Sequence, residues 1–153
     1  IFFFGNGDYL SNHYPCEFIV DGIKFNCGEQ YYMYCKAKLF NDEKRMEKIL
    51  KEKNPKKMKT IGKSIKDFDS EVWEKKRIKL IHKGLLEKFK QNKGLLEMLL
   101  KTGNRDLVEA SRFDKFWGIG LSEKNKLIHD KNNWKGENTL GKMLMKIRKE
   151  LKK

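Results

Sequence analysis

Apolar positions in the first 25 residues fall in short runs, and from residue 28 onward they recur three or four apart. "FFF" predicts a short buried strand that enters a loop through "GNGD" and "LSNHYP". "EFIV" and "IKFN" flank Asp21-Gly22, a pair whose tolerance of positive φ predicts a two-residue hairpin turn. Helical spacing then takes over. Gly28 to Phe40, "GEQYYMYCKAKLF", predicts a helix, and Asn41 or Asp42 caps a charged helix running to about Lys51. Asn54-Pro55 opens another, and Asp69 or Ser70 caps the longest, which runs to about Phe89. In it Val72, Trp73, Ile78, Ile81, Leu85 and Phe89 recur at the spacing of a core-facing stripe. "GLLEMLLKTG" predicts a short helix closed by Gly103, "DLVEAS" a strand, "FWGIG" a tight turn and "GENTLGKMLMKIRKELKK" a terminal helix. With no repeat, low-complexity segment or linker, the pattern predicts one mainly α domain over residues 1–153 with a small N-terminal β element, an α+β fold.

Composition adds one strong bias. The chain carries 35 Lys and Arg against 21 Asp and Glu, a formal charge of +14 that suits a polyanionic partner and equally suits a solvated lysine coat. Cys16, Cys27 and Cys35 are odd in number and lack a paired-knuckle spacing, and His13, His82 and His129 lie far from them in sequence. Neither a disulfide framework nor a zinc site is expected, and reduced thiols in the cytoplasm are the simpler reading. No apolar run reaches membrane-spanning length, and "IFFFGNG" is too short and uncharged for a signal peptide. The absence of an initial Met suggests a trimmed chain or a domain cut from a longer one.

Candidate chemistry centres on the helix from Gly28. Seven residues advance a helix by nearly two turns, so Glu29, Met33 and Lys36 share one stripe, with the acid and the amine about 10 Å apart along the axis. Tyr32 borders the stripe, positioned to stack on a base or offer a hydroxyl. The same spacing also suits a first-turn carboxylate favoured by the helix dipole and a snorkelling surface lysine. "WGIG" sets Gly118 beside Trp117, where backbone can approach a ligand next to an aromatic face or a core tryptophan can sit on a tight turn. "WKGEN" ends at Asn138 where a helix begins, a place that favours anions when it is not simply capped. No Walker loop, dinucleotide fingerprint, HExxH pair or serine elbow is present.

In order, "LSNHYPCEFIVDGIKFNCGEQYYMYCKA", "IGKSIKDFD", "KFKQN", "LLKTGNRDLVEAS", "FWGIG" and "WKGENTLGKMLMKIRKEL" resemble the NADAR, or YbiA-like, family across residues 10–151. The resemblance implies a compact, mostly helical single domain and N-glycosidase chemistry on ribose-linked substrates without a cofactor or metal. The implied substrate is ADP-ribosylated guanine in nucleic acid or nucleotide. A phosphorylated ribosyl pyrimidine of riboflavin biosynthesis is the alternative, and a non-catalytic reader of ADP-ribose or nucleic acid a third. Carried over by position, the catalytic residues are Lys36 as Schiff-base nucleophile, with Glu29 and Asp69 transferring protons or orienting ribose. Asn12, Tyr32, Trp117, Gly118 and Asn138 are implied substrate contacts, and Lys63 a phosphate contact. The chain departs from the family in having Phe68 where tryptophan is common and Lys63 where arginine often follows the glycine, which replaces a bidentate fork with a point charge.

Overall fold

The computed structural model describes residues 1–152. Along the chain the elements are β1 (Phe2–Phe3), β2 (Phe18–Val20), β3 (Ile23–Phe25), α1 (Gly28–Leu39), α2 (Glu43–Lys51), α3 (Pro55–Gly62), α4 (Ser70–Gln91), α5 (Lys93–Lys101), β4 (Val108–Glu109) and α6 (Thr139–Leu151). Two 3-10 turns, Lys126–His129 and Lys131–Asn133, precede α6. The fold is thus mainly α, with two short two-stranded sheets. None of the described helices is long and apolar enough to cross a membrane. Contacts divide the chain into two units, Asn12–Lys93 and Ile1–Ser11 with Gly94–Lys153.

The Asn12–Lys93 unit starts from the hairpin. β2 and β3 pair antiparallel with Phe18 opposite Phe25, and the turn between them holds Asp21 at φ 51° and Gly22 at φ 80°. Both turn residues are left-handed, the geometry that matches the twist of the strands. Phe25 presses its ring against Tyr31 and Tyr34, at 5.2 and 5.4 Å between centroids. Those tyrosines belong to α1, which packs on α2, α3, α4 and β3. Residues Gly28 to Cys35 and Ala37 are all buried, so α1 is covered on nearly every side. Its neighbours are tied to it by polar bonds as well as packing. The Gln30 amide donates to Ile49 O at 2.9 Å and accepts from Asn26 N at 2.8 Å, joining α1 to the end of α2 and to the strand exit.

Caps follow the local chemistry. Asp42 accepts from Arg45 N to cap α2, Asn54 accepts from Lys56 N ahead of Pro55, and Asp69 accepts from Glu71 N and Val72 N to cap α4. The second carboxylate oxygen of Asp42 takes Lys66 N at 2.9 Å, so one buried acid organises two segments. Asn41, the other candidate cap, sits at φ 54° beyond the end of α1. Along α4 the buried large apolar residues are Trp73, Ile81, Leu85 and Phe89, while Val72 and Ile78 are exposed. The expected stripe was therefore drawn too wide. At about 100° per residue position 72 lies off the arc that holds 73, 81, 85 and 89, whereas 78 lies within that arc by angle and is exposed nonetheless.

In the unit formed by Ile1–Ser11 and Gly94–Lys153, β1 pairs with β4 in parallel, Phe2 opposite Val108 and Phe3 opposite Glu109. Val108, Ala110, Ile119, Leu121 and Ile128 form its core with Phe2 and Trp134 packed against them. The buried Arg148 of α6 donates to Thr102 Oγ1 at 2.8 Å and to Arg105 O at 2.9 Å, fixing the chain that leaves α5. Gly103 adopts φ 63° in that exit, as a helix-closing glycine does.

The packing of α1 on α4 makes a test. The Tyr31 ring lies against Gly84, where a Cβ would collide with it, and the Tyr31 hydroxyl donates to Leu80 O at 2.8 Å. Helix propensity alone favours Gly84→Ala by about 1 kcal/mol. Overpacking against a wedged ring costs about 1–3 kcal/mol, so clash prevails. Gly84→Ala is expected to lower stability by up to about 2 kcal/mol in urea unfolding; a gain in stability would show that the ring is free to move aside.

Candidate active site

The edge of α1 marked by Glu29 and Lys36 is built from four segments of the Asn12–Lys93 unit. Glu29 is in the first turn of α1 and only 7% exposed. The helix N-terminus favours its negative charge. Its backbone N–H donates to Asn12 O at 2.8 Å, which holds the "LSNHYP" loop over the start of the helix. Gly28 permits this approach, because a Cβ there would come within 2.8 Å of Asn12 Oδ1. Asn12 is buried, and that oxygen has no hydrogen-bond partner among the described residues. A buried acceptor left in this state is costly, and a ligand donor would offset the cost.

The same loop delivers a residue that the sequence reading passed over. His13 Nε2 lies 3.9 Å from Glu29 Oε2. This is too long for a hydrogen bond. Burial pushes the imidazole pKa down, and Lys59 and Lys56 of α3 push it the same way. His13 therefore stands neutral at pH 7 beside a buried carboxylate, able to pass or hold a proton. Only the fold brings position 13 over the start of α1, so no local motif could have marked it.

At the other end of the edge, Lys36 is partly buried, with its ammonium 4.6 Å from the centroid of the Phe68 ring. Phe68 in turn packs edge-on against Phe40 at 5.2 Å. The phenylalanine in this position thus forms a wall over the amine. Burial lowers the Lys36 pKa, Glu29 raises it, and Lys63 at the end of α3 lowers it again; the net direction is down. The competition between desolvation and the acid is decided for desolvation. Tyr32 is buried against Trp73 with ring centroids 5.0 Å apart, and Met33 packs on Gly62, where a Cβ would strike its sulfur.

Asp69 has a different placement from the others in this unit. It is exposed, and its Oδ1 accepts the first amides of α4, so its observed work is capping. Lys63 is exposed and close enough to Lys36 to lower its pKa. Among the described residues no group of three or more His, Cys, Asp and Glu is arranged to hold a metal ion.

Trp117, Gly118 and Asn138 belong to the other unit. Asp114 Oδ1 accepts from Phe116 N and Trp117 N, which folds the "FWGIG" turn, and Gly118 fits where a Cβ would press on Asp114 O and Glu109 O. Asn138 is buried at φ 53°, accepting from Glu109 N and donating to Leu107 O, both at 3.0 Å. It gives α6 no side-chain cap. Instead the amides of Asn138, Thr139 and Leu140 donate to the carbonyls of Gly118, Phe116 and Trp117. The start of α6, which suggested an anion site, has its first donors occupied by this turn.

The comparisons agree with this architecture. A family model described as the NADAR domain matches residues 2–152. The chain belongs to the NADAR family. It is 44% identical over 131 residues to Protein irg-1 of Caenorhabditis elegans, covering 84% of this chain and 62% of that one. N-glycosidase R617 of Acanthamoeba polyphaga mimivirus is 43% identical over 143 residues, 94% of this chain and 80% of R617. Riboflavin biosynthesis protein VVA0006 of Vibrio vulnificus is 32% identical over 146 residues, 95% of this chain and 36% of that protein. The NMR structure of the E. coli protein YbiA superposes with a TM-score of 0.80 at 30% identity, over 99% of this chain and 83% of that one. The helical NADAR fold is therefore shared, and α1 lies inside the matched region.

The electrostatic ordering at Lys36 can be measured directly by NMR titration of lysine side chains. Lys36 is expected to titrate below the ordinary lysine value. Lys63→Met should raise its pKa and Glu29→Gln should lower it further, because each removes one of the two opposing charges. Equal titration of Lys36 and an exposed lysine would refute the burial argument.

Proposed function

We propose that this chain is an N-glycosidase that removes ADP-ribose from ADP-ribosylated guanine in nucleic acid or nucleotide. The observation that carries the reading is Lys36, an amine whose pKa is lowered by burial, on the same helix edge as the buried Glu29. Relatives named as N-glycosidases, R617 and YbiA among them, support the reaction class. The charge of +14 favours a substrate carrying phosphates.

A neutral amine is the form that attacks carbon. As the anomeric C–N bond breaks, its electron pair leaves on the guanine nitrogen, which takes a proton. Lys36 Nζ bonds to the anomeric carbon, the ring C–O bond opens onto a protonated oxygen, and the nitrogen lone pair forms the C=N of a Schiff base. One water adds to that carbon and the C–N bond to Lys36 breaks, releasing ADP-ribose and restoring the amine. Glu29 stabilises positive charge at the anomeric carbon and exchanges the protons, with His13 beside it as a neutral relay. Asp69 shares the proton-transfer or ribose-orienting role in this scheme, from its place at the head of α4. Asn12 Oδ1, lacking an internal partner, accepts from a ribose hydroxyl, and Lys63 meets phosphate as a point charge. Tyr32 is a further proposed substrate contact on α1, and Trp117, Gly118 and Asn138 are proposed as contacts on the family resemblance alone, Asn138 through the β4 backbone that it supports.

A second reading rests on the name of VVA0006, of which this chain spans about a third. It keeps the same bond cleavage and exchanges the substrate for a phosphorylated ribosyl pyrimidine.

The test is incubation with a guanine-ADP-ribosylated oligonucleotide, with and without borohydride, followed by intact mass of protein and DNA. The expected result is loss of the DNA adduct, with a reduced sugar trapped on wild type and on neither Lys36→Ala nor Lys36→Arg. Both variants should lose at least about a thousandfold in kcat/KM, since neither side chain forms a Schiff base. Turnover by Lys36→Arg at the wild-type rate would overturn the nucleophile. An untouched adduct with cleavage of the ribosyl pyrimidine would favour the second reading.

A further inference from the structure

A cavity adjoins α1 on the side away from Glu29 and Lys36. At about 100° per residue, positions 31, 34, 35 and 38 point opposite to 29, 32, 33 and 36. Tyr31, Tyr34, Cys35 and Lys38 line a cavity of about 350 Å³, closed across from them by the β2–β3 hairpin and by Leu80 and Lys83 of α4. That volume lies at the lower end of small-molecule sites. The interior is apolar, with Val20, Phe25, Leu39 and Leu80 among its walls. The Tyr31 hydroxyl is already donated to Leu80 O. Burial pushes the Cys35 thiol up to about 11, so it presents a neutral, weakly polar surface at pH 7.

The charged groups that line the cavity are Asp21, Lys38 and Lys83. Asp21 and Lys83 neutralise each other in an ion pair of 2.8 Å. Lys38 is exposed and remains as one net positive charge. An apolar cleft with a single cation selects a small molecule with the inverse layout, an apolar body bearing one anionic group. A neutral apolar compound would leave the Lys38 charge unused, and a highly charged nucleotide would meet Lys38 as its one lining cation not already paired with an acid.

We propose that this cavity is a second ligand site, separate from the Glu29–Lys36 edge, that takes a small aromatic or aliphatic monoanion with its charged end on Lys38. The site stands on its own observations and does not depend on the reaction assigned to the opposite edge.

Two dyes that share a ring system but differ in charge test it: 1-anilinonaphthalene-8-sulfonate and uncharged N-phenyl-1-naphthylamine. The folded protein should bind the sulfonate saturably at one site. Lys38→Glu should weaken the sulfonate at least tenfold and change the neutral dye by less than about twofold. Lys149→Glu, which alters net charge equally at an exposed position on α6, should leave both unchanged. Ile23→Trp, at the hairpin wall, should abolish both by filling the space. No saturable sulfonate binding overturns the proposal, as do equal effects of Lys38→Glu and Lys149→Glu. Full binding by folded Ile23→Trp does the same. Should Ile23→Trp not fold, the comparison between the two charge reversals decides alone.

Discussion

Nearly everything in the Asn12–Lys93 unit follows from enclosing a helix that carries a carboxylate in its first turn and an amine in its last. α1 is buried from Gly28 to Cys35, and Glu29 is buried with it. Removing an isolated charge from water is expensive, so the surroundings must answer it. They do so with the helix N-terminus at Glu29, the loop of Asn12 and His13 above it, and the aromatic face of Phe68 at Lys36. The dipole favours the charged form of both end groups, acid at the N-terminus and base at the C-terminus. Burial outweighs that preference at Lys36.

The two glycines that α1 meets on adjoining helices set how closely that enclosure fits. Gly62 receives Met33 from one side and Gly84 receives Tyr31 from another. Both contacts are side chain into missing Cβ, so α3 and α4 approach α1 more closely than larger residues would permit. Closeness on the Met33 side brings Lys63 toward Lys36. On the Tyr31 side, the ring meets Gly84 while Leu80, one turn earlier in α4, lines the cavity. One helix therefore separates a polar edge from an apolar hollow, and the side-chain period of 3.6 assigns its residues to them.

Much of this was legible in the sequence where a rule is local. Asp21-Gly22, Asn54-Pro55 and Gly103 mark turns and helix ends through φ preferences and caps that need no distant partner. The Glu29 and Lys36 edge was legible for the same reason, since helix geometry fixes their relation. Long-range pairings were not. β1 is two residues long and finds β4 more than a hundred positions away, a parallel register that no alternation announces. His13 reaches Glu29 only through a loop whose path depends on Gly28. Asn138 shows the same limit: its position at a helix start was legible, but that its amide joins Leu107 and Glu109 while the helix amides go to the preceding turn was not. Val72 and Ile78 were assigned to the core because spacing gives a face only to within a residue or so.

The lysine excess has a consequence for the amine itself. Each cation near Lys36 opposes its protonation, and Lys63 does so directly. In the proposed reaction a basic surround therefore has two effects, attracting an anionic substrate and lowering the pKa of Lys36. The two conflict once a phosphate is bound, because its charge acts on Lys36 in the same sense as Glu29 and raises the pKa. The conflict is resolved if the incoming phosphate meets an exposed lysine, so that the charge added near the amine is close to zero. In the proposed reaction Lys63, exposed at the end of α3, is the lysine that would supply that compensation. A guanidinium would bind the phosphate more firmly in a bidentate fork, but for holding the local field near Lys36 constant a single ammonium charge is sufficient.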